Sequence, residues 1–93
     1  MNIQVTQEHI ANGEQNSCVA CPVALAIREH VGEGVIIFVS DTTVQLVRYP
    51  KRTRKKRLAK AATAFIRNFD TNDLTVGPFE FEFHIPSDFR KKV

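Results

Sequence analysis

The sequence predicts an α+β fold for a single domain over residues 1–93, with the element order β-α-β-β-α-β. Two segments repeat apolar residues at helical spacing, and the first of them follows a capping residue. Residues 79–85, "FEFEFHI", alternate apolar and polar side chains, and residues 35–39, "VIIFV", form an apolar run too short for a helix. This order is that of the ferredoxin-like split βαβ arrangement, an antiparallel sheet with two helices on one face.

Local signals define the elements of the first third of the chain. "NIQV" predicts a short strand, and Thr6 is suited to cap the helical segment "QEHIAN" that ends before Gly13. In "CPVALAIREHV", Cys21 occupies the N-cap position and Pro22 the first helical position. The apolar residues that share one face of this second helix are Val23, Ala24, Ile27 and Val31.

The middle of the chain predicts two strands and a helix. "VIIFV" is typical of a strand buried on both faces, whereas the ferredoxin-like order places the second strand at a sheet edge. We therefore expect a second copy of the chain or a loop to cover this strand, or a different strand order. "VQLVRY" predicts the next strand, ended by Pro50. A helix is expected from about Arg54 to Phe69, with Lys56, Lys60 and Arg67 on its outer side.

The last strand is predicted by its alternation. Phe79, Phe81, Phe83 and Ile85 are expected to face inward, and Glu80, Glu82 and His84 outward. A glutamate and a histidine within reach of each other are able to perform acid–base chemistry, but a half-solvated strand produces the same pattern without any such role. No reaction is indicated, and we expect a protein that is not an enzyme.

Charge is distributed unevenly along the chain. Residues 1–47 hold one cation against five acids, whereas residues 48–93 hold twelve cations against five acids. No apolar run approaches the roughly 20 residues that cross a bilayer, and the N-terminal residues lack the pattern of a signal peptide. We therefore expect a cytoplasmic protein without a membrane partner.

The segment "KRTRKKR", residues 51–57, holds six of these cations. Placed ahead of the expected helix it would oppose the helix dipole, and an anionic partner would relieve that cost. The alternative is a solvated turn. Tyr49 is the only aromatic residue nearby, so base stacking is not indicated. The residues expected to contact a partner or nucleic acid are Lys51, Arg52, Arg54, Lys55, Lys56, Arg57, Lys60 and Arg67.

Cys18 and Cys21 form a C-x-x-C pair. Two thiolates are able to bind zinc, and His9 is the candidate third ligand, but a structural zinc site needs four. A redox role is disfavoured because the helix begins after the second cysteine. The remaining interpretation is that both are small core or capping residues. No other cofactor is indicated.

The motifs His9-Ile10, C-x-x-C-P-[IV]-A-x-A and "FD…PF.F" together resemble small uncharacterised proteins of phages and actinobacterial genomes. The matching residues are His9, Ile10, Cys18, Cys21, Pro22, Ala24, Ala26, Phe69, Asp70, Pro78, Phe79 and Phe81. No function comes with the resemblance. It implies the setting of a phage or prophage accessory protein, and small proteins of that kind often bind a host machine, including defence complexes. The expected location is then the cytoplasm of the host cell.

These observations lead to one functional hypothesis and one alternative. The hypothesis is a non-enzymatic phage-type accessory protein that binds an anionic surface through the basic segment. That surface would be nucleic acid itself or a host nucleoprotein or defence complex, in the manner of an anti-CRISPR protein. The alternative is a small zinc-binding domain that uses Cys18 and Cys21.

Overall fold

Five strands and three α-helices make up the described part of the chain, residues 1–49, 52–71 and 76–91, in a computed structural model. None of the helices in these ranges is long and apolar enough to cross a membrane. In chain order the elements are β1 (Asn2–Val5), α1 (Gln7–Asn12), α2 (Pro22–Arg28), β2 (Val35–Val39), β3 (Thr43–Arg48), β4 (Arg52–Arg57), α3 (Lys60–Asp70) and β5 (Phe79–Glu82), followed by a 3-10 turn at Ser87–Phe89.

The strands form two antiparallel sheets. β1 pairs with β5, so that Ile3 lies opposite Phe81. β2, β3 and β4 form a three-stranded meander with β3 in the centre, in which Leu46 lies between Ile37 and Arg54. The α+β class predicted from the sequence is confirmed.

The predicted caps of the first two helices are confirmed. The Thr6 side chain accepts a hydrogen bond from the backbone N–H of His9, and the His9 ring accepts one from the backbone N–H of Thr6, which completes a capping box. In α2 the Cys21 sulfur accepts from the backbone N–H of Ala24 at 3.5 Å, and Pro22 occupies the first turn.

The core lies between the helices and the inner faces of both sheets. Phe81, Phe83 and Ile85 are buried and Phe79 is partly buried, as their alternation predicts. The Phe79 ring stacks on Phe65 of α3 with 4.7 Å between ring centroids, which joins α3 to the two-stranded sheet. Phe89 in the 3-10 turn is 1% exposed and adds the C-terminal segment to this core.

The prediction of a helix from about Arg54 is wrong. Residues 52–57 form β4 instead, and α3 begins at Lys60. Lysine and arginine tolerate either conformation, but β3 has one edge free after pairing with β2. β4 lies along the whole of that edge and hydrogen-bonds to alternate residues of β3. Lys56 is consequently on a strand, and the predicted helical row of Lys56, Lys60 and Arg67 does not exist.

The ferredoxin-like arrangement is not confirmed. In that arrangement the first strand pairs with the third, in one sheet. Here β4 occupies the second edge of β3, so that edge is not open to β1. β1 pairs with β5 in a separate sheet. β2 is also not buried on both faces, because Phe38 is 38% exposed. The strand lies at a sheet edge.

Adjacent isoleucines in β2 provide a test of which face of the meander is buried. Ile37 is fully buried and Ile36 only partly. We expect Ile37→Ala to lower the free energy of unfolding by about 2–5 kcal/mol. The matched control Ile36→Ala, which loses the same atoms and the same strand preference, is expected to cost about 1 kcal/mol. Urea unfolding measures both, and equal losses would mean that the faces are assigned wrongly.

Candidate functional site

Strand β4 places cationic side chains on both faces of the meander. Residues paired directly across an antiparallel ladder point to the same face. Lys56 therefore shares the inner face with its partner Val44, and Arg54 shares it with Leu46. Lys55 lies on the outer face. β4 is the edge strand, so these cations lie on the far side of β3 from β2. Lys56 is partly buried, and the other cations of β4 are exposed.

The backbone of β4 also has a free edge. The backbone N–H of Leu58 donates to the Thr42 carbonyl at 2.8 Å, which marks that pair as hydrogen-bonded. Because such pairs alternate along an antiparallel ladder, the N–H and C=O groups of Thr53, Lys55 and Arg57 point away from β3. The described chain has no strand beyond β4 in this sheet.

Most of the charge on β4 is not neutralised. Arg52 pairs with the Asp88 carboxylate at 2.8 Å. By contrast, the residues without an ion-pair partner among those described are Arg54, Lys55, Lys56 and Arg57. Lys51 lies outside the described residues. We call Arg52, Arg54, Lys55, Lys56 and Arg57 the basic edge.

The two predicted site residues on α3 are only partly connected to the basic edge. Lys60, the first residue of α3, is exposed and follows β4 after two residues. Arg67 lies two turns further along and its Nε donates to Asp41 at 3.4 Å, in the turn between β2 and β3. This carboxylate offsets the charge of Arg67, so the main anion-binding candidate is the strand.

The C-x-x-C pair places its two thiols in different surroundings. Cys18 is exposed, whereas Cys21 is 3% exposed, and both are free thiols. Burial raises the pKa of the Cys21 thiol above its ordinary value of 9.0, although hydrogen bonds from the backbone of Ala24 and Val23 act in the opposite direction. Cys21 is therefore a protonated capping residue at neutral pH and a poor nucleophile.

The structure does not place His9 in a zinc site with the cysteines. Its Nδ1 accepts from the backbone N–H of Thr6 at 2.9 Å, so the proton of the neutral ring is on Nε2, which lies 3.1 Å from the Glu29 carboxylate. Both ring nitrogens are occupied. Within residues 1–49, 52–71 and 76–91, no three His, Cys, Asp or Glu side chains are grouped to hold a metal ion.

The polar face of the last strand is solvent-exposed. Glu80 lies opposite Gln4 on β1, and Glu82 lies 3.5 Å from the N-terminal amine. His84 follows the strand and is also exposed. The alternation that buries the phenylalanines is sufficient to explain this arrangement.

Sequence reasoning missed a second group of cations. Arg28, Arg48, Arg90 and Lys91 line a cleft of about 630 Å³. These residues come from three separate segments, so no local spacing connects them. The only sequence signal was the excess of positive charge in the second half of the chain.

No family model, no curated protein and no solved structure matches this chain. The function is therefore inferred from the geometry and charge of these two sites.

The cysteine environments predict selective alkylation. At pH 8 we expect iodoacetamide to modify Cys18 in the folded protein, while Cys21 reacts only after denaturation, because it is buried and its raised pKa keeps it protonated. Mass spectrometry of Cys18→Ser and Cys21→Ser separates the two thiols. Modification of Cys21 in folded Cys18→Ser should increase as the pH rises above 9.0. Equal rates at the two thiols at pH 8 would contradict this assignment.

Proposed function

We propose that this protein is a non-enzymatic accessory protein that binds the phosphate backbone of a nucleic acid through the basic edge. The observation that supports the proposal most directly is that four adjacent cations at a free sheet edge have no ion-pair partner among the described residues. Lysine and arginine side chains provide affinity for phosphates that does not depend on sequence.

The spacing of these charges suits a polyanion. The five cations of β4 lie on a strand whose first and last Cα atoms are about 17 Å apart, so the four intervals between successive charges average roughly 4 Å. Each strand of a DNA duplex has one phosphate per about 3.4 Å of helix axis. A compact anion could contact only one or two of these side chains. A nucleic-acid strand that lies along the sheet edge can contact the four that have no ion-pair partner among the described residues, which project from both faces.

The bare charges also have an energetic cost that a bound polyanion would reduce. Arg48 and Arg52 lie directly opposite each other, and like charges in this position are destabilising. The Asp88 carboxylate relieves the repulsion at this end of the ladder. No carboxylate among the described residues does the same for Arg54 or Lys56. Phosphate groups would supply the missing negative charge.

The proposed contact is with the backbone of the nucleic acid and not with its bases. Sequence recognition needs side chains that reach base edges, or aromatic rings on which bases stack. Within the described ranges the exposed aromatic residues of the meander and its end are Tyr49, at 73%, and Phe38 on β2, at 38%, which are too few for a stacking platform. Binding should therefore depend strongly on salt and weakly on sequence.

The phage setting belongs to the proposal as its biological context. The resemblance to phage and actinobacterial proteins supports it, and a bound nucleic acid would then be part of a host nucleoprotein or defence complex, as for an anti-CRISPR protein. The basic edge would occupy a path that the complex uses for nucleic acid.

Removing four charges from the basic edge tests the proposal. We expect the variant Arg54→Ser, Lys55→Ser, Lys56→Ser and Arg57→Ser to lose binding to a fluorescein-labelled 20-base-pair DNA duplex, measured by anisotropy at 0.1 M salt. The slope of log affinity against log salt should fall by about 3–4 in magnitude, since each phosphate contact contributes about 0.9. These side chains lie at the sheet edge and are mostly exposed, so thermal stability should change little.

The double variant Arg28→Gln and Lys91→Gln is the control, because it removes charge away from β4 and should keep duplex binding. Unchanged affinity in the quadruple variant would refute the proposal. If the wild type but not the quadruple variant captures a host protein from nuclease-treated lysate, the partner of the basic edge is an acidic protein and not nucleic acid. Such a partner could add a strand to the free edge of β4.

A further inference from the structure

We propose that the cleft lined by Arg28, Arg48, Arg90 and Lys91 binds a diphosphate group. The cleft lies between the end of α2, the end of β3 and the C-terminal segment, and its volume is about 630 Å³. Besides the four cations its lining contains one carboxylate, that of Glu33. This site shares no residue with the basic edge and does not depend on the function proposed for it.

Backbone pairing brings the cations together. The backbone N–H of Lys91 donates to the His30 carbonyl, and that of Gly32 donates to the Phe89 carbonyl, each at 3.0 Å. Val31 and Arg90 form an antiparallel bridge between these two bonds. A Cβ on residue 32 would lie 3.3 Å from the Arg90 carbonyl oxygen, so glycine favours this close approach. The C-terminal segment is thereby fixed against the end of α2.

Two of the arginines are oriented by carbonyl groups. The Arg90 Nε donates to the Ile85 carbonyl at 2.8 Å, and one Nη of Arg48 donates to the Asp88 carbonyl. A guanidinium has five N–H donors, so each arginine retains donors for a ligand. Because a carbonyl oxygen carries no net charge, these bonds fix the side chains without neutralising them. The arrangement is preorganised for an anion.

The acidic residues around the cleft leave an excess of positive charge. The Asp88 carboxylate is bound by Arg52 at 2.8 Å, and the Glu29 carboxylate, which lies 3.1 Å from the His9 ring, does not line the cleft. Glu33 is exposed on the turn that ends at Val35. Among the described residues, four cations against this single carboxylate give the lining a net charge of +3.

The charge of the cleft indicates a ligand with several negative charges, and its volume of about 630 Å³ leaves room for more than a diphosphate group. Arginine matches phosphate oxygens with two parallel hydrogen bonds. One phosphate group carries only about −1.5 to −2, so a diphosphate matches the lining more closely. The apolar residues Val31 and Val35 are buried beneath the surface and offer little area to a hydrophobic ligand. Free pyrophosphate and the diphosphate of a nucleotide share this chemistry.

Titration calorimetry at 0.15 M salt tests the site with inorganic pyrophosphate, ADP and citrate as the probes. We expect saturable binding of pyrophosphate, weakened at least tenfold by Arg28→Gln with Lys91→Gln. The matched control Arg54→Gln with Lys55→Gln removes the same charge from the basic edge and should change the affinity less than twofold. Both replaced pairs are exposed, and thermal unfolding verifies that the variants fold.

The outcomes separate the two sites and the two sources of the ligand. Tighter binding of ADP than of pyrophosphate identifies a nucleotide as the source, and the reverse identifies free pyrophosphate. Absence of saturable pyrophosphate binding overturns the inference, as does equal weakening by the two double variants, which would show general attraction to a basic protein. Citrate binding as tight as that of pyrophosphate would rule out phosphate selectivity. None of these results alters the duplex test of the basic edge.

Discussion

The pairing of β4 with β3 is the constraint on which the rest of the structure depends. It provides six cross-strand residue pairs, from Thr43 with Arg57 to Arg48 with Arg52. By occupying the second edge of β3 it leaves β1 to pair with β5, so the chain forms two sheets. It also delays the start of α3 to Lys60 and turns the most basic segment into the edge of a sheet. Topology and surface charge therefore have the same origin.

Local patterns in the sequence were sufficient wherever the determining contacts are local. The caps at Thr6 and Cys21, and the burial of every second residue from Phe81 to Ile85, depend on neighbours within a few positions, and the structure confirms them. The conformation of residues 52–57 depends instead on an open edge of β3. No periodicity within the segment encodes that edge, so helix preference and charge gave the wrong element.

The same reasoning explains which parts of the candidate sites could be predicted. The basic edge is a contiguous run, and its charge is evident in the sequence whatever conformation it adopts. The cleft combines Arg28 with Arg48 and Arg90. The bridge between Val31 and Arg90 brings Arg90 close to the end of α2. Because that contact joins residues distant in the chain, spacing alone could not reveal it.

Protection against aggregation is the main structural alternative for the cations on β4. Charged residues on an edge strand discourage pairing with other chains, and Lys55 and Arg57 at the free backbone edge are well placed for this role. An inward-pointing charge such as Arg54 also blocks the addition of a strand, but one or two charges are enough for that purpose, since short strands, bulges or isolated charges achieve it elsewhere. β4 has four cations without an ion-pair partner among the described residues. The proposed extended anion accounts for this surplus of charge, which protection alone does not require.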